Sequence, residues 1–390
     1  MVKTALIGCG GIAGAHVEGL AELHELGLTE APQVVAVCDI DEARARERAA
    51  ELAAFGPKPR VYVDLEELLA VEDEVEAVDI CALHSEHHAL AETAMAAGRH
   101  VIVEKPLGIT VRAARRIIDT AVATRRILAV AENYRRSPGE RAINWAIRCG
   151  RIGQPRLWLW QDVGEGLGKW GWRNFRFHAG GGWVLDGGVH FADLFRYHLG
   201  QPARSVYAVN RKFEPYRYDN PEERTGAWAV DVEDLSAATI EFDGAAVVQW
   251  TWSGSSPGQS FNRRTLYGSE GCIDWETGLW TRGGANLSRD DLTAEYRASL
   301  SAEESKRWFP GGTENTIAIE LVDFARAVRT GSVPEVDGLE GLRAQALCMA
   351  IFESAQAGQP MPLEAIEAGH SEGYQDKIDA VLGIAHDHDH

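Results

Sequence analysis

Val2-Lys3-Thr4-Ala5-Leu6-Ile7-Gly8-Cys9-Gly10-Gly11-Ile12-Ala13 stands at the head of the chain, and its reading decides the fold. Val2–Ile7 is a short apolar run of strand character, and a helical pattern follows the glycines. Gly8, Gly10 and Ala13 therefore fall on the three small positions of a G-x-G-x-x-(G/A) turn between strand and helix. Glycine at the first two permits a tight turn and lets a pyrophosphate approach the backbone N–H groups of the helix N-terminus. Ala13 is still small enough for close helix-to-strand packing. Taken alone the pattern is weak; its place between a strand and a helix makes it a dinucleotide fingerprint.

Outward from this turn, strand-like runs continue at Val34–Asp39, Arg60–Val63, Val75–Cys81, His100–Val103 and Ile127–Ala131. Helical stretches such as Asp41–Phe55, Glu86–Ala97 and Val111–Ala123 lie between them. Alternation of this kind predicts a doubly wound parallel sheet covered on both faces, a Rossmann-type domain over residues 1–131. None of the twelve tryptophans lies before residue 144, and beyond that point the grammar changes. After a helix over Gly139–Cys149 come longer alternating runs at Pro155–Asp162, Ser205–Arg211, Leu235–Phe242, Ala245–Ser253 and Arg263–Tyr267. Trp158 with Trp160, and Trp250 with Trp252, are two apart and share a strand face. The expectation is an α/β fold whose second domain, residues 132–365, carries a large open, mostly antiparallel sheet closed by helices near Glu314–Arg329 and Leu339–Gln356. Residues 366–390 read as a C-terminal tail. Its last six residues, Ala385-His386-Asp387-His388-Asp389-His390, suit a stray metal or simply a mobile end, and no metal site is expected.

With 390 residues the chain is long enough for two cores, and a net charge of −19 opposes both nucleic acid and anionic membrane surfaces as partners. No apolar run has the length of a membrane span, and the N-terminus lacks a signal-peptide core. The six cysteines show neither a CxxC pair nor a framework spacing, which suits reduced thiols in a cytoplasmic protein.

Three further places carry chemistry. Asp39 ends the second strand-like run, where a carboxylate can accept hydrogen bonds from both ribose hydroxyls of NAD and repel a 2′-phosphate. A long first helix and the Leu28–Gln33 loop absorb the long spacing from the glycines. Ile40 follows with no arginine or serine to favour NADP, so NAD is the expected cofactor; Arg44 and Arg46 are the residues that argue the other way, and Asp39 equally suits a helix cap. Glu104-Lys105-Pro106 ends the fifth strand, at the carboxyl edge where open α/β sheets place ligands, and a desolvated lysine there can share a proton with a substrate hydroxyl. Downstream, Asp186 and His190 in Gly180-Gly181-Gly182-Trp183-Val184-Leu185-Asp186-Gly187-Gly188-Val189-His190 stand at i and i+4 of a helix start and so share a face. A lone histidine in such a place is ordinarily a core residue.

The blocks GCGGIAGAH (8–16), CALHSEHHALAETAMAAGRHVIVEKPLG (81–108), ENYR (132–135), GRIG (150–153), WRNFRFHAGGGWVLDGGVHFADLFRYHLG (172–200) and VEDLSAATIEFDG (232–244) together resemble the glucose-fructose oxidoreductase / inositol dehydrogenase / rhizopine-catabolism family, Gfo/Idh/MocA. The resemblance covers Val2 to about Pro362. It implies an N-terminal Rossmann domain, and a C-terminal α/β domain whose sheet forms homodimers or homotetramers. It implies catalytic roles for Lys105, Asp186 and His190: His190 or Lys105 takes the proton of a sugar or polyol hydroxyl while hydride leaves the same carbon, and Asp186 orients the substrate. It further implies cofactor contacts from Gly8, Gly10, Gly11, Ile12, Ala13, Asp39, Ile40, Leu83, His84, His87, Glu104 and Lys105. Substrate contacts would come from Lys105, Asn133, Arg135, Trp172, Arg173, Asp186 and His190.

The Gly164–His178 loop departs from the family pattern by its Lys169, Trp170 and Arg176. Indole faces suit the C–H faces of a pyranose and a cation cluster suits an anionic substituent; a loop pinned by aromatic packing and ion pairs is the other reading. An NAD-dependent sugar or polyol dehydrogenase is therefore expected. The alternative is a redox-cycling glycosidase that oxidises, eliminates, hydrates and reduces again, for example on an anionic glycoside such as a sulfoquinovoside. A non-enzymatic NAD or sugar sensor has no need of the proton-transfer set, and a zinc-dependent dehydrogenase lacks its ligand spacing.

Overall fold

The computed structural model describes residues 1–370 and 373–384, so the His/Asp run 385–390 lies outside the described residues. Two compact units form. The first comprises Met1–Gly108, Ala113–Ser137 and Leu300–Leu342; the second comprises Ile109–Arg112, Pro138–Ser299 and the chain from Arg343 onward.

In the first unit, β1 (Lys3–Ile7), β2 (Gln33–Cys38), β3 (Arg60–Tyr62), β4 (Ala77–Ile80), β5 (His100–Glu104) and β6 (Leu128–Ala131) form one sheet in the order β3-β2-β1-β4-β5-β6. Every pairing is parallel. The strand order reverses at β1, so the ends of β1 and β4 flank the switch point where doubly wound sheets bind ligands. β4 and β6 are buried at every residue, as a sheet with helices on both faces requires.

The segment 300–342 returns to this first unit, although the sequence reading placed it in the second domain. Asn315 caps the helix Thr316–Thr330 through Ile317 N (3.1 Å) and Ala318 N (3.2 Å), and its amide donates to Glu22 on the helix Gly11–Glu25 (3.0 Å). Ala318, Leu321, Val322, Phe324 and Ala325 then join the core formed by Leu6, Ala13, Val17 and Leu20. Amphipathic periodicity marks the helix and its buried face, but not which sheet that face covers.

The second unit holds β7 (Pro155–Val163), β8 (Ala203–Arg211), the two-stranded β9 (Tyr216–Arg217) and β10 (Trp228–Ala229), then β11 (Leu235–Phe242), β12 (Val247–Ser253), β13 (Phe261–Gly268), β14 (Gly271–Asp274), β15 (Gly278–Thr281) and β16 (Met361–Pro362). Its main sheet runs β15-β14-β13-β7-β12-β11-β8-β16, antiparallel at every pairing except β7 with β12. The sequence expectation of a parallel sheet followed by a large, mostly antiparallel one holds. Trp158, Trp160 and Trp250 face inward from this sheet onto the helix Gly188–Leu199. There Phe195 meets Trp158 at 5.0 Å and Trp250 at 5.4 Å between ring centroids, and Phe191 meets Trp160 at 4.6 Å.

Residues 373–384, which the sequence reading left in a tail, pack into this unit. Asp379, 1% exposed, accepts from Thr110 Oγ1 (2.6 Å) and pairs with Arg112 (2.8 Å), while Gln375 Oε1 accepts from Val111 N (2.7 Å). These side chains thereby bond polar groups of 110–112. Among the described residues no helix is long and apolar enough to cross a membrane.

Phe195 is fully buried among three indoles. Phe195→Ala should destabilise the second unit by roughly 3–5 kcal/mol, read as a lower midpoint in denaturant titration followed by tryptophan fluorescence.

Candidate functional site

The first unit gathers the cofactor candidates at the carboxyl ends of β1, β2, β4 and β5. Gly8 has φ +84°, and a Cβ there would stand 2.7 Å from Ala82 N, so only glycine fits between β1 and β4. At Gly10 and Gly11 a Cβ would meet nothing within 4 Å, and no side chain caps the helix Gly11–Glu25. That open, uncapped N-terminus is the cradle a pyrophosphate requires. Ala13 is fully buried against the core and Ile12 packs beside it.

Asp39 follows β2 and reaches back to the turn: Oδ2 accepts from Cys9 N (2.7 Å) and Oδ1 from Asp41 N (2.8 Å). Its carboxylate is thereby fixed beside the glycines, and the next helix is capped by Asp41 rather than Asp39. Ile40 is 96% exposed. Arg44 pairs with Asp41 (3.4 Å) and Arg46 with Glu42 (2.5 Å), so the two arginines that argued for NADP have partners on their own helix. Burial pushes the Cys9 and Cys38 thiols up to about 12, which leaves them inert beside this seat.

Lys105, half-buried, leaves the end of β5, and its amide donates to Glu104 Oε2 (3.1 Å). Leu83 is half-buried and His84 is 4% exposed on the loop after β4. His87, expected as a cofactor contact, has its ring nitrogens turned to protein carbonyls. It is fully buried, with Nδ1 2.9 Å from Pro106 O and Nε2 3.3 Å from Ala82 O, and burial lowers its pKa. With its ring facing two carbonyls it fastens the loops after β4 and β5 together. Arg135, expected at the substrate, is 5% exposed and directed at Glu340 (3.4 Å). Asn133 keeps a buried Oδ1 without a hydrogen-bond partner.

The second unit carries the other candidates. Trp183–Asp186 and Gly188–Leu199 are two helical pieces joined at Gly187, itself in helical conformation, so Asp186 and His190 keep their i, i+4 relation. A Cβ on Gly188 would stand 2.8 Å from the Trp250 ring, and one on Gly187 2.9 Å from Trp183 Nε1. Trp183 in turn stacks on Trp252 at 4.9 Å and 4°. The glycines beside Asp186 are thus demanded by an indole wall. Asp186 is 3% and His190 8% exposed. Arg173 Nε donates to Asp186 Oδ1 (3.0 Å), and its guanidinium lies over Trp172 (4.4 Å) and Trp170 (5.7 Å). Lys169 pairs with Asp219 (2.9 Å) and lies over Trp228 (4.7 Å).

Sequence reasoning missed Glu233, although it lies in the quoted VEDLSAA block. Its oxygens accept from Gly182 N (2.8 Å) and Val184 N (3.1 Å), holding the turn that presents Asp186. Burial pushes this carboxyl up to about 7 against the lowering effect of those two donors.

A glycine turn opening an uncapped helix, with a carboxylate fixed beside it at the end of β2, is the arrangement of a dinucleotide-binding Rossmann domain. Residues 2–132 match the oxidoreductase family's NAD-binding Rossmann fold and residues 146–363 its C-terminal alpha/beta domain. The chain belongs to the Gfo/Idh/MocA oxidoreductase family. It is 27% identical to a D-apiose dehydrogenase of Paraburkholderia graminis, covering 94% of this chain and 91% of that one. It is 25% identical to the D-glucoside 3-dehydrogenase of Escherichia coli (93% and 97%). An oxidoreductase from Agrobacterium radiobacter, solved with NAD+, L-tartaric acid and magnesium, shares the fold at a TM-score of 0.73 and 20% identity over 93% of this chain and 99% of that one.

Two outcomes test this geometry. Asp39→Ala removes a charged acceptor, so NAD affinity should fall about 10-fold or more and the preference over NADP should narrow, as read by calorimetric titration of both. Glu233, with a pKa of about 7 against an ordinary 4.5, keeps a proton that the unfolded chain has lost. Its stabilising contribution is complete below the unfolded value, declines as pH rises and is gone above the folded value. Glu233→Gln should therefore remove a loss of roughly 3 kcal/mol from the wild-type stability profile across that window, measured by denaturation at successive pH values.

Proposed function

We propose that the protein is an NAD-dependent dehydrogenase that oxidises a secondary hydroxyl of an uncharged sugar or polyol to a ketone. The observation that carries this reading is the placement of Lys105 at the carboxyl edge of β5, on the same sheet edge as the glycine cradle. Lys105 or His190 accepts the hydroxyl proton, and the C–H hydrogen departs as hydride from the same carbon. NAD, seated by Gly8, Gly10, Gly11, Ile12, Ala13 and Asp39 with Ile40, Leu83, His84 and Glu104 around it, supplies the hydride acceptor when bound. Asp186, oriented by Arg173, accepts hydrogen bonds from the substrate, as does Asn133 through its unpartnered Oδ1. Trp172 offers an indole face for the C–H side of the ring.

Two observations favour an uncharged substrate. Of the loop's Lys and Arg cations, Lys169 is paired with Asp219 and Arg173 with Asp186, while Arg176, whose buried Nε has no hydrogen-bond partner, lies over the rings of Phe177 and Tyr374. The names of the relatives, a dehydrogenase of apiose and one of D-glucosides, describe acting on neutral sugars and support the same class. Leu157, Tyr207, Phe261 and Trp280, each 37% to 51% exposed, share the outer face of the large sheet, and we assign that face to homodimer or homotetramer contacts. All six thiols are free, which suits the cytoplasm.

Incubating the protein with NAD and a panel of free sugars, inositols, uronates and aryl glycosides tests the reading, with NADH absorbance and aglycone release followed together. NADH formed in proportion to a neutral sugar is expected; aglycone release without net NADH would establish the redox-cycling glycosidase instead. Lys105→Ala should lower kcat by roughly 100- to 10,000-fold with NAD affinity changed by less than about threefold, and full activity in that variant would remove Lys105 from the chemistry.

A further inference from the structure

Beneath the glycine turn lies a buried group of ionisable side chains of which the mechanism above uses only Glu104. His16, on the helix Gly11–Glu25, is fully buried. Its Nδ1 lies 2.8 Å from Asp79 Oδ2 on β4, and its Nε2 lies 3.1 Å from Glu104 Oε1 on β5. Glu104, 6% exposed, turns its other oxygen back onto the Lys105 amide at 3.1 Å. One ring therefore joins the helix of the dinucleotide cradle to two strands and, through Glu104, to the residue proposed to move the proton.

We propose that His16 is a positioning residue for Lys105: it holds Glu104, and Glu104 holds the backbone from which Lys105 departs. This rests on the reading of Lys105 given above. The ring can make both bonds only as an imidazolium, each N–H donating to one carboxylate. Burial alone would lower its pKa, but the Asp79 carboxylate overrides burial and holds it well above the ordinary value. Glu320 completes the group at 1% exposure with neither oxygen hydrogen-bonded; burial pushes its pKa up, and Arg136, whose Nε stands 4.0 Å from Oε2, pulls it down. The imidazolium thus sits between two carboxylates. Ligand atoms of His16, Glu104 and Glu320, and of His16, Asp79 and Cys81, also lie within 4.8 Å of one another, and both nitrogens of the ring face carboxylates.

The arrangement has a directional consequence. Removing the imidazolium takes one charged donor from buried Glu104, which favours uptake of a proton or rotation of its carboxyl group. Either change alters the grip on the Lys105 amide. The cradle itself is built from Gly8–Ala13 and Asp39 and keeps its own bonds. Loss of His16 therefore falls on the proton step rather than on cofactor binding.

A double-mutant cycle between His16→Leu and Glu104→Gln tests this. Glutamine at 104 can still accept from the Lys105 amide through its carbonyl oxygen, yet carries no charge that needs the imidazolium. His16→Leu alone should lower kcat about 10- to 100-fold, with the Kd of NAD and the KM of the sugar within about threefold. The double variant should match Glu104→Gln alone within about twofold. The 13C signal of reductively methylated Lys105, identified by its loss in Lys105→Arg, gives a readout that needs no turnover: it should shift in His16→Leu and stay at the Glu104→Gln position in the double variant. Should His16→Leu fail to fold, His16→Gln, which keeps a donor for one carboxylate, takes its place in the cycle. Unchanged kcat and an unchanged Lys105 signal, or losses that simply multiply, would overturn the proposal. If wild-type protein turns over no sugar while the Lys105 signal follows the cycle, the dehydrogenase reading fails and the positioning role stands.

Discussion

The first unit depends on how closely the backbone of Gly8 approaches the chain leaving β4. A Cβ at residue 8 would stand 2.7 Å from both Ala82 N and the carbonyl carbon of Cys81, so a side chain of any kind would force β1 and β4 apart at the switch point. With the two strand ends in contact, Gly8 N can donate to Cys38 O (2.8 Å) and Cys9 N to Asp39 (2.7 Å), which locks the turn to β2 as well. The open space at Gly10 and Gly11 exists because the turn is tight: the chain enters its helix with bare N–H groups and nothing above them. Cofactor geometry is thus inherited from strand packing.

The second unit solves a different problem with bulk instead of its absence. Trp158, Trp160, Trp183, Trp250, Trp252 and Trp275 pack edge to face and in stacks around Phe191 and Phe195. Such rings have few rotamers and fill space with little freedom, so the helix beginning at Gly188 can sit in only one register against β12. The glycines at 187 and 188 are the positions where that helix touches indole rings. Asp186 and His190 lie on either side of this contact, and aromatic packing holds their spacing.

What the sequence disclosed follows from the range of each signal. Strand–helix alternation and the glycine turn act over neighbouring residues, so the parallel sheet and the places of Asp39 and Lys105 just after its strands were legible, as was the change to alternating, tryptophan-bearing strands. Long-range pairings were not. His87 reads as a candidate ligand contact until its ring is found between Ala82 O and Pro106 O, and Arg135 reads as a free cation until Glu340 arrives from a segment some two hundred residues away. The return of residues 300–342 to the first unit escaped for the same reason, since a helix's apolar face does not announce its partner. The clearest overlooked signal was acidic: Glu233-Asp234 stands at the start of a strand run otherwise buried at alternate positions, and acidic residues at such a buried strand start need a structural reason.

That reason recurs across the chain. Where a candidate for chemistry must leave the backbone in one direction, a buried or half-buried carboxylate accepts the local N–H groups: buried Glu104 for Lys105, buried Glu233 for Gly182 and Val184 ahead of Asp186, and half-buried Asp39 for Cys9 in the glycine turn. Asp234 does the same for Phe213 and Glu214 at the root of the lobe that pairs with Lys169. Apolar packing fixes where an element lies but is indifferent to rotation of a single peptide, whereas a carboxylate with two oxygens defines the orientation of the N–H groups it receives. Each such carboxylate carries a desolvation cost that is offset in its own way. His16 provides a cation for Glu104, whereas Glu233 has only dipoles, and its pKa consequently climbs to about 7. The turn before Asp186 is therefore held by a group that titrates near neutrality, and the turn at Lys105 by one clamped through an imidazolium. The two halves of the proposed proton-transfer set should accordingly differ in how firmly they are held as pH changes, a difference that arises from what each buried carboxylate has for company and not from the groups that meet the substrate.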